Sequence, residues 1–273
     1  MQTVLVVTDF SAESRHALEY ACRLVQDKEV AIVLLHIYPV PITYTTEGLA
    51  LAAIQDAIDR AEGHIEDEIA WVAHHYPQTT ITARVIADTY LKTLRHETLA
   101  VRPLFVVLGT AGYGNTFPGD DDPLDALRTI PAPVLFVPRR APLRLIRHVA
   151  FASNYAFATP RIPTDSIMDW IRLMEANLTV VHTDAEPRGK SETQSAGEAW
   201  LRDQLAPVAP KFKWVQDENV ISGLAGFIGD HDVDCLLVVP RRQGFWQNLL
   251  HHSRTKALAR LDSVPVIAFP ERA

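Results

Sequence analysis

The sequence predicts an α/β protein in which two tandem copies of one unit each contain a five-stranded parallel sheet with helices on both faces. Short continuous apolar runs, such as Phe105–Leu108 and Val134–Val137, are typical of strands in a parallel sheet that helices cover on both sides. Segments with helical spacing separate these runs. In addition, the stretch 104–138 nearly recurs at 235–270, with an alanine-leucine pair and a proline-valine pair at matching offsets.

The first copy opens with a β-branched apolar strand at Thr3–Thr8, which ends on Asp9. Ser11 then supplies the N-cap of a helix that extends to about Gln26. A long amphipathic pattern and further apolar runs complete an order of five strands and four helices. The remaining elements of this copy are predicted as strands at Val30–Ile37, Ile81–Ile86, Phe105–Leu108 and Val134–Val137, and as helices at Leu49–His75, Tyr90–Leu99 and Pro123–Thr129.

The second copy repeats this order, with Asn154 in the place of Asp9 and His182 in the place of His36. The polar stretch Pro187–Ser195 is predicted to be a mobile loop. The other elements of this copy are predicted as strands at Ile146–Ser153, Asn177–His182, Phe212–Gln216, Cys235–Val239 and Val264–Phe269, and as helices at Pro160–Met174, Ala196–Leu205 and Ile221–His231.

The chain of 273 residues is long enough for two domains of ordinary size, each with its own core. The proline-containing segment Arg139–Leu145 is a short linker between the copies. We therefore expect one domain at 1–140 and a second at 141–273. The last strands of the two copies are highly apolar, so we expect them to pack against each other as an intrachain pseudo-dimer. Association of two whole chains is compatible with the same pattern.

Composition disfavours several classes of function. Lys and Arg total 26 against 33 Asp and Glu, and no basic run with interleaved aromatic residues indicates a nucleic-acid surface. No apolar run approaches the ~18 residues that span a bilayer, and the N-terminus has no leader pattern. Cys22 and Cys235 lie in apolar settings without metal-ligand spacing, which favours buried structural thiols. We expect a cytoplasmic protein that binds neither nucleic acid nor membrane.

The pattern of Val4–Asp9, Val33–Pro39, Val106–Gly112 and Leu127–Val137 resembles the universal stress protein family. The most specific part is the ending LRTIPAPVLFVP, which returns more loosely as LARLDSVPVIAFP. Both halves resemble the family. The resemblance implies two tandem open five-stranded parallel sheets with helices on both faces, similar to the adenine nucleotide alpha hydrolase (HUP) fold.

The resemblance also implies an adenine-nucleotide site in the first half. Asp9 would contact the adenosine moiety, Ile37 would lie against adenine, and Gly109 and Gly112 would line the phosphate loop, with Gly119 close by. The family motif continues nine residues later with a glycine followed by Ser or Thr. This sequence departs from it there. The cofactor implied is ATP with Mg²⁺, although the departure leaves the ligand undetermined.

Three consecutive carboxylates, Asp120–Asp122, stand where the family presents a hydroxyl and backbone donors. At about 4 Å, each like-charge contact with a phosphate would cost on the order of 4 kcal/mol before screening. A bound cation would reverse that effect, but consecutive Asp side chains diverge and lack the spacing of a metal loop. We interpret them as a solvated loop and helix N-terminus, and we predict no metal site.

The second half departs further from the nucleotide motif, with Asn154 at the acidic position and Pro240 and Gln243 at the two glycine positions. These changes remove a charge, a backbone donor and the room for a phosphate. We therefore predict that the second half binds no ATP. A weaker site for a small anion is chemically reasonable at four nearby side chains: Arg241, Arg242, Ser253 and Thr255.

No nucleophile-base arrangement and no G-x-x-x-x-G-K-[ST] phosphate loop is present, so no catalytic residue is assigned. Two functions are compatible with this sequence. The first is a stress-response module that senses a ligand or binds a protein partner without turnover. The second is a nucleotide-binding protein with slow hydrolysis. A third, an unrelated nucleotide-activating enzyme on a similar sheet, needs a catalytic constellation that the sequence does not contain.

Overall fold

A computed structural model describes residues 1–38, 47–110, 127, 129–155, 158–184, 191–240 and 263–272, with the backbone alone for 47–54. These residues form ten strands and six α-helices. The strands are β1 (Gln2–Thr8), β2 (Val30–Tyr38), β3 (Ile81–Ala87), β4 (Val106–Thr110), β5 (Val134–Pro138), β6 (His148–Ala152), β7 (Asn177–Asp184), β8 (Lys211–Gln216), β9 (Cys235–Val238) and β10 (Val266–Ala268). The helices are α1 (Ala12–Val25), α2 (Glu47–His75), α3 (Tyr90–Val101), α4 (Thr164–Met174), α5 (Glu192–Leu205) and α6 (Val220–Asp230).

All ten strands belong to one sheet, in the order β3-β2-β1-β4-β5-β10-β9-β6-β7-β8. The α/β class and the parallel pairing within each half are confirmed. The five strands of each half form one continuous sheet rather than two separate ones. The physical reason is the pairing of the two inner edges, which leaves only β3 and β8 as edge strands among the described residues.

The two halves join through β5 and β10, which pair antiparallel. Val134 lies opposite Ala268, Leu135 opposite Ile267 and Phe136 opposite Val266. All these side chains are buried. Each half would otherwise expose a long apolar edge strand, and the antiparallel contact covers both edges at once. The predicted packing of the two last strands is therefore confirmed.

Two apolar layers cover the faces of the sheet. Side chains from α1, α2, α4 and α5 pack on one face, and side chains from α3 and α6 pack on the other. Both thiols, Cys22 and Cys235, are free and fully buried, as predicted. Burial raises the pKa of the Cys22 thiol to about 12, with a smaller contribution from the negative charge of Glu19, so this thiol stays protonated at neutral pH.

Helix α5 begins at Glu192, four residues before the position predicted from the sequence. Ser191 is its N-cap and forms a capping box with Gln194, in which each side chain bonds the other residue's backbone N–H. Residues 191–195 are therefore the cap and first turn of a helix, and that part of the loop prediction is wrong. The rest of the predicted loop, through residue 190, lies outside the described residues.

The segment that joins the halves is fixed by Asp234, which precedes β9. Its Oδ2 accepts hydrogen bonds from the backbone N–H groups of Arg147 and His148, at 2.9 and 2.8 Å. Its Oδ1 lies 2.7 Å from Nε of Arg144. Because Asp234 is buried, it holds the start of β6 in register with the start of β9.

None of the described helices combines the length and the apolar character that a bilayer-spanning segment needs.

Candidate functional site

The order of the strands marks one point in each half where a crevice opens. From β1 the chain passes to β2 on one side, whereas β4 lies on the other side of β1. In open parallel sheets the ligand crevice lies outside the carboxyl ends of the strands at such a switch point. In the first half the crevice lies between the ends of β1 and β4, and in the second half between the ends of β6 and β9.

Asp9 follows β1 directly and is exposed at this edge. Its Oδ1 accepts hydrogen bonds from the backbone N–H of Ser11, at 3.0 Å, and from the Ser11 hydroxyl. Burial raises the pKa of Asp9, but the Ser11 hydrogen bonds outweigh it and hold that pKa below the usual value. Asp9 is therefore ionised at neutral pH. It also supports helix α1, because the Ser11 hydroxyl caps the N–H of Ser14.

His36 lies at the end of β2 beside this carboxylate. Its Nδ1 is 2.8 Å from the carbonyl oxygen of Thr8, so Nδ1 carries the proton and Nε2 keeps its lone pair. Burial lowers the pKa of His36, which keeps the ring neutral at pH 7 even though Thr8 and the Asp9 charge act in the opposite direction.

The ring of Phe10 packs against His36 at a tilt, with centroids 4.4 Å apart, and it approaches His64 of α2 at 5.1 Å. Its φ of 64° is rare for a bulky residue and costs on the order of 1–2 kcal/mol. This strained turn brings an aromatic ring between two histidines at the edge of the crevice.

Ile37 is buried and points to the opposite face of the sheet from His36. Tyr90, the first residue of α3, packs against the apolar cluster that contains Ile37. Burial raises the pKa of the Tyr90 hydroxyl, and the charge of Asp9 adds to this effect. Tyr90 therefore lies within electrostatic reach of Asp9 as a neutral hydrogen-bond donor. Nothing in the sequence pattern indicated that Tyr90 belongs to the site.

Gly109, near the end of β4, has a packing role that the sequence did not predict. A Cβ at this position would lie 2.4 Å from the carbonyl oxygen of Glu13 and 2.7 Å from the N of Ser14. Only glycine admits the N-terminus of α1 this close to the strand. The predicted phosphate-loop residues Gly112 and Gly119 lie outside the described residues.

The second half repeats the geometry with different chemistry. Nδ1 of His182 lies 3.0 Å from the carbonyl oxygen of Ser153, and Tyr155 stacks on His182 at 4.7 Å. These contacts match those of His36 and Phe10, which confirms the predicted correspondence of the two histidines. The residue between the strand end and the aromatic ring is Asn154 instead of an aspartate.

Gln194 of α5 contacts the carboxyl end of β7. Its Nε2 donates to Oδ2 of Asp184 at 2.9 Å and lies 3.3 Å from Nε2 of His182. Thr183 stands at the position that corresponds to Ile37, and its buried hydroxyl has no partner among the described residues. Gln194 was not among the predicted site residues, although the Ser191-x-x-Gln194 spacing indicates a capping box.

The predicted anion site at Arg241, Arg242, Ser253 and Thr255 lies outside the described residues, as do Asp120–Asp122. Within the described part of the chain, no group of three or more His, Cys, Asp or Glu side chains is arranged to hold a metal ion.

The pH dependence of stability provides a test of the Asp9 geometry. Because the pKa of Asp9 is lowered on folding, its carboxylate stabilises the fold above the unfolded pKa, and this contribution is lost as the pH falls through the folded pKa. We expect Asp9→Asn to be less stable than the wild type by up to about 1 kcal/mol at pH 7. The difference in the free energy of unfolding between the two proteins should disappear at low pH, as measured by urea unfolding followed by circular dichroism.

Asp56→Asn, which removes an exposed carboxylate from α2, is the matched control for the change in net charge. If Asp9→Asn lowered the free energy of unfolding equally at low pH and at pH 7, position 9 would not hold an ionised, hydrogen-bonded carboxylate.

Comparison with known proteins agrees with this geometry. Residues 1–96 match the family model of the Universal stress protein family. A universal stress protein from Archaeoglobus fulgidus DSM 4304 superposes with a TM-score of 0.69 at 11% identity, over 98% of this chain and 96% of that one. No curated protein sequence matches significantly.

Two further solved structures share the fold over almost the whole chain. A putative universal stress protein from Pseudomonas aeruginosa UCBPP-PA14 has a TM-score of 0.52 at 15% identity, covering 99% of this chain and 94% of that one. The cytoplasmic domain of a prokaryotic cation chloride cotransporter has a TM-score of 0.51 at 12% identity, covering 98% and 94%. At these identities the likeness establishes the fold alone.

Proposed function

We propose, from the match of residues 1–96 to the model of the Universal stress protein family, that this protein is a tandem module that senses a small ligand without turning it over. The ligand binds in the crevice at the carboxyl ends of β1 and β4. The observation that carries the proposal is Asp9, an ionised carboxylate at the switch point of the first sheet half. The second half has the uncharged Asn154 in its place and binds a different ligand or none.

The chemistry of the described residues fits the nucleoside end of an adenine nucleotide. Asp9 can accept hydrogen bonds from vicinal hydroxyls such as those of ribose. The neutral Tyr90 hydroxyl supplies a donor and the Ile37 face an apolar contact. A magnesium ion bound to the nucleotide would neutralise part of the phosphate charge.

A second candidate function is nucleotide binding with slow hydrolysis, for which His36 is the favouring observation. Its Nδ1–H is committed to the Thr8 carbonyl, and the lowered pKa leaves Nε2 unprotonated at pH 7. Such an imidazole is able to accept a proton from water. The two candidates differ in whether phosphate is released.

The ligand test uses protein purified without added ligand. Native mass spectrometry is expected to find a small-molecule adduct on the wild type and at least about tenfold lower occupancy on Asp9→Asn, because one charge-assisted hydrogen bond is lost. Asn154→Ala is the matched control in the second half and should keep the adduct. An adduct that persists in Asp9→Asn and disappears in Asn154→Ala would show that the halves are assigned the wrong way round.

Calorimetric titration with ATP and Mg²⁺ separates the two candidates. Micromolar affinity that Asp9→Asn loses, together with phosphate release that His36→Gln abolishes, would replace the sensing function with the hydrolytic one. Binding without phosphate release supports the sensing function and identifies the ligand class.

A further inference from the structure

An open cleft of about 630 Å³ lies between α6 and the edge strand β8 in the second half, away from the switch-point crevice. Val215 and Phe227 form its apolar floor. Asp217 lies at the end where α6 begins, and Asp230 at the end where α6 terminates. Gly226, midway along the helix, borders open space, since a Cβ there would meet no atom within 4 Å.

At the equivalent place in the first half, the described side chains form a charged contact between the strand and the helix. There Arg84 of β3 reaches across to Glu97 of α3, with the two side chains 2.6 Å apart and Glu97 buried. His96 adds its ring beside the same carboxylate at 3.2 Å. When α3 and α6 are aligned at their N-caps, Gly226 corresponds to His96 and Phe227 corresponds to Glu97. The second half therefore has an open, partly apolar cleft where the first half has an ion pair between the strand and the helix.

Among the described strands, the strand beside the cleft is the last of the sheet on its side. The N–H of Asp217 donates to Asp184 of β7 at 3.1 Å, and in a parallel pair successive residues direct their backbone groups to opposite sides. The backbone groups of Phe212 and Gln216 therefore point away from β7, toward the position of a further strand. Lys211 and Lys213 keep this edge charged, which opposes indiscriminate pairing.

We propose that an extended segment of a partner protein adds to the sheet beside β8, with alternate side chains entering the cleft. A small apolar side chain lies against Gly226, and basic side chains pair with Asp217 and Asp230 at the two ends. The spacing follows from the geometry, because an 11-residue helix is about 16 Å long. Positions i and i+4 of a strand are about 13 Å apart, and long basic side chains cover the remainder.

The partner segment therefore has a five-residue pattern: a basic residue at each end, a small apolar residue at the centre, and any residue at the second and fourth positions. The acidic ends of the cleft select the basic positions by charge, and Lys213 disfavours a third positive charge at the centre. Backbone pairing supplies the part of the affinity that does not depend on sequence.

The test uses the full chain and a fluorescein-labelled peptide containing Arg-Thr-Val-Thr-Arg, followed by fluorescence polarisation. Saturable binding is expected. Gly226→Phe should weaken it about tenfold or more, since the ring occupies the space of the apolar side chain. Replacing a helical glycine does not by itself threaten the fold. Gly63→Phe, at a glycine of α2 that also borders open space, is the matched control and should bind normally.

Asp230→Asn is a second variant that does not depend on filling the cleft, and it should weaken binding about threefold and reduce its salt dependence. The same peptide with Glu in place of both Arg residues should not bind. The proposal is overturned by absence of saturable binding, by equal binding to Gly226→Phe, or by equal binding of the Glu peptide. Competition by spermine alone would overturn it in favour of a small cation. A dimer in sedimentation velocity that Gly226→Phe dissociates would show that the occupant is a second copy of this chain.

Discussion

Gly197→Ala is expected to lower the free energy of unfolding by about 3 kcal/mol, an effect of overpacking a buried helix contact. A Cβ at position 197 would lie 1.9 Å from the carbonyl oxygen of Tyr155 and 2.9 Å from its carbonyl carbon. Both atoms belong to the backbone, so no side-chain rotation can relieve the clash. Helix α5 would have to move away from the turn that follows β6.

The same movement would draw Gln194 away from His182 and Asp184, because both contacts depend on the position of α5. Urea unfolding followed by circular dichroism measures the loss. Gly226→Ala is the matched control, since its Cβ meets no atom and alanine is favoured over glycine in a helix by about 1 kcal/mol. It should stabilise the protein slightly. If Gly197→Ala proved as stable as the wild type, the close approach of α5 to Tyr155 would be wrong.

Strand positions were predictable to within one or two residues because a doubly covered parallel strand is a continuous apolar run. The predicted Val30–Ile37 became Val30–Tyr38, and Phe212–Gln216 became Lys211–Gln216. The resemblance to the universal stress protein family was likewise readable, and it is now shown for residues 1–96. These features depend on local pattern and on order along the chain.

Features that depend on contacts between distant segments were harder to predict. Apolar end strands indicated that the halves pack together, but not that β5 and β10 hydrogen-bond into one ten-stranded sheet. The open cleft beside β8 depends on which side chains α6 presents to that strand. Nothing in the spacing of its glycines indicates that Gly223 is packed against Thr183 while Gly226 borders open space.

The candidate site was predictable in part. Asp9 was assigned by resemblance to the family, and comparing the halves matched His36 with His182 without placing His36 in the site. The structure adds the hydrogen bonds that Asp9 and His36 make. Tyr90 was not predictable, since its relation to Asp9 arises only when α3 packs across the sheet. Gly109 shows the converse, because a glycine that suggested a phosphate contact is required by the approach of α1.

Asp234→Ala is expected to cost about 2 to 4 kcal/mol, because its buried carboxylate accepts two backbone hydrogen bonds and hydrogen bonds to charged groups contribute about 1.5 to 3 kcal/mol. Two effects add. The backbone N–H groups of Arg147 and His148 lose their charged acceptor, and because both residues are exposed, water replaces part of the lost hydrogen bonding. The guanidinium of Arg144 also loses its carboxylate, although its exposure makes this contribution smaller.

The control variants for Asp234 separate these effects. Asp234→Asn keeps one side-chain oxygen for the two N–H groups and should recover about half of the loss, whereas Arg144→Ala should cost only about 1 kcal/mol. Asp169→Ala, which breaks an exposed pair within α4, should be nearly neutral. Because Asp234 holds the start of β6 against β9, its loss should also expose the amides of β6 to hydrogen exchange before those of β1. Equal protection of the β6 amides from hydrogen exchange in the variant and the wild type would mean that pairing with the neighbouring parallel strands alone sets the register of β6. The buried carboxylate of Asp234 would then only accept the two nearby backbone hydrogen bonds.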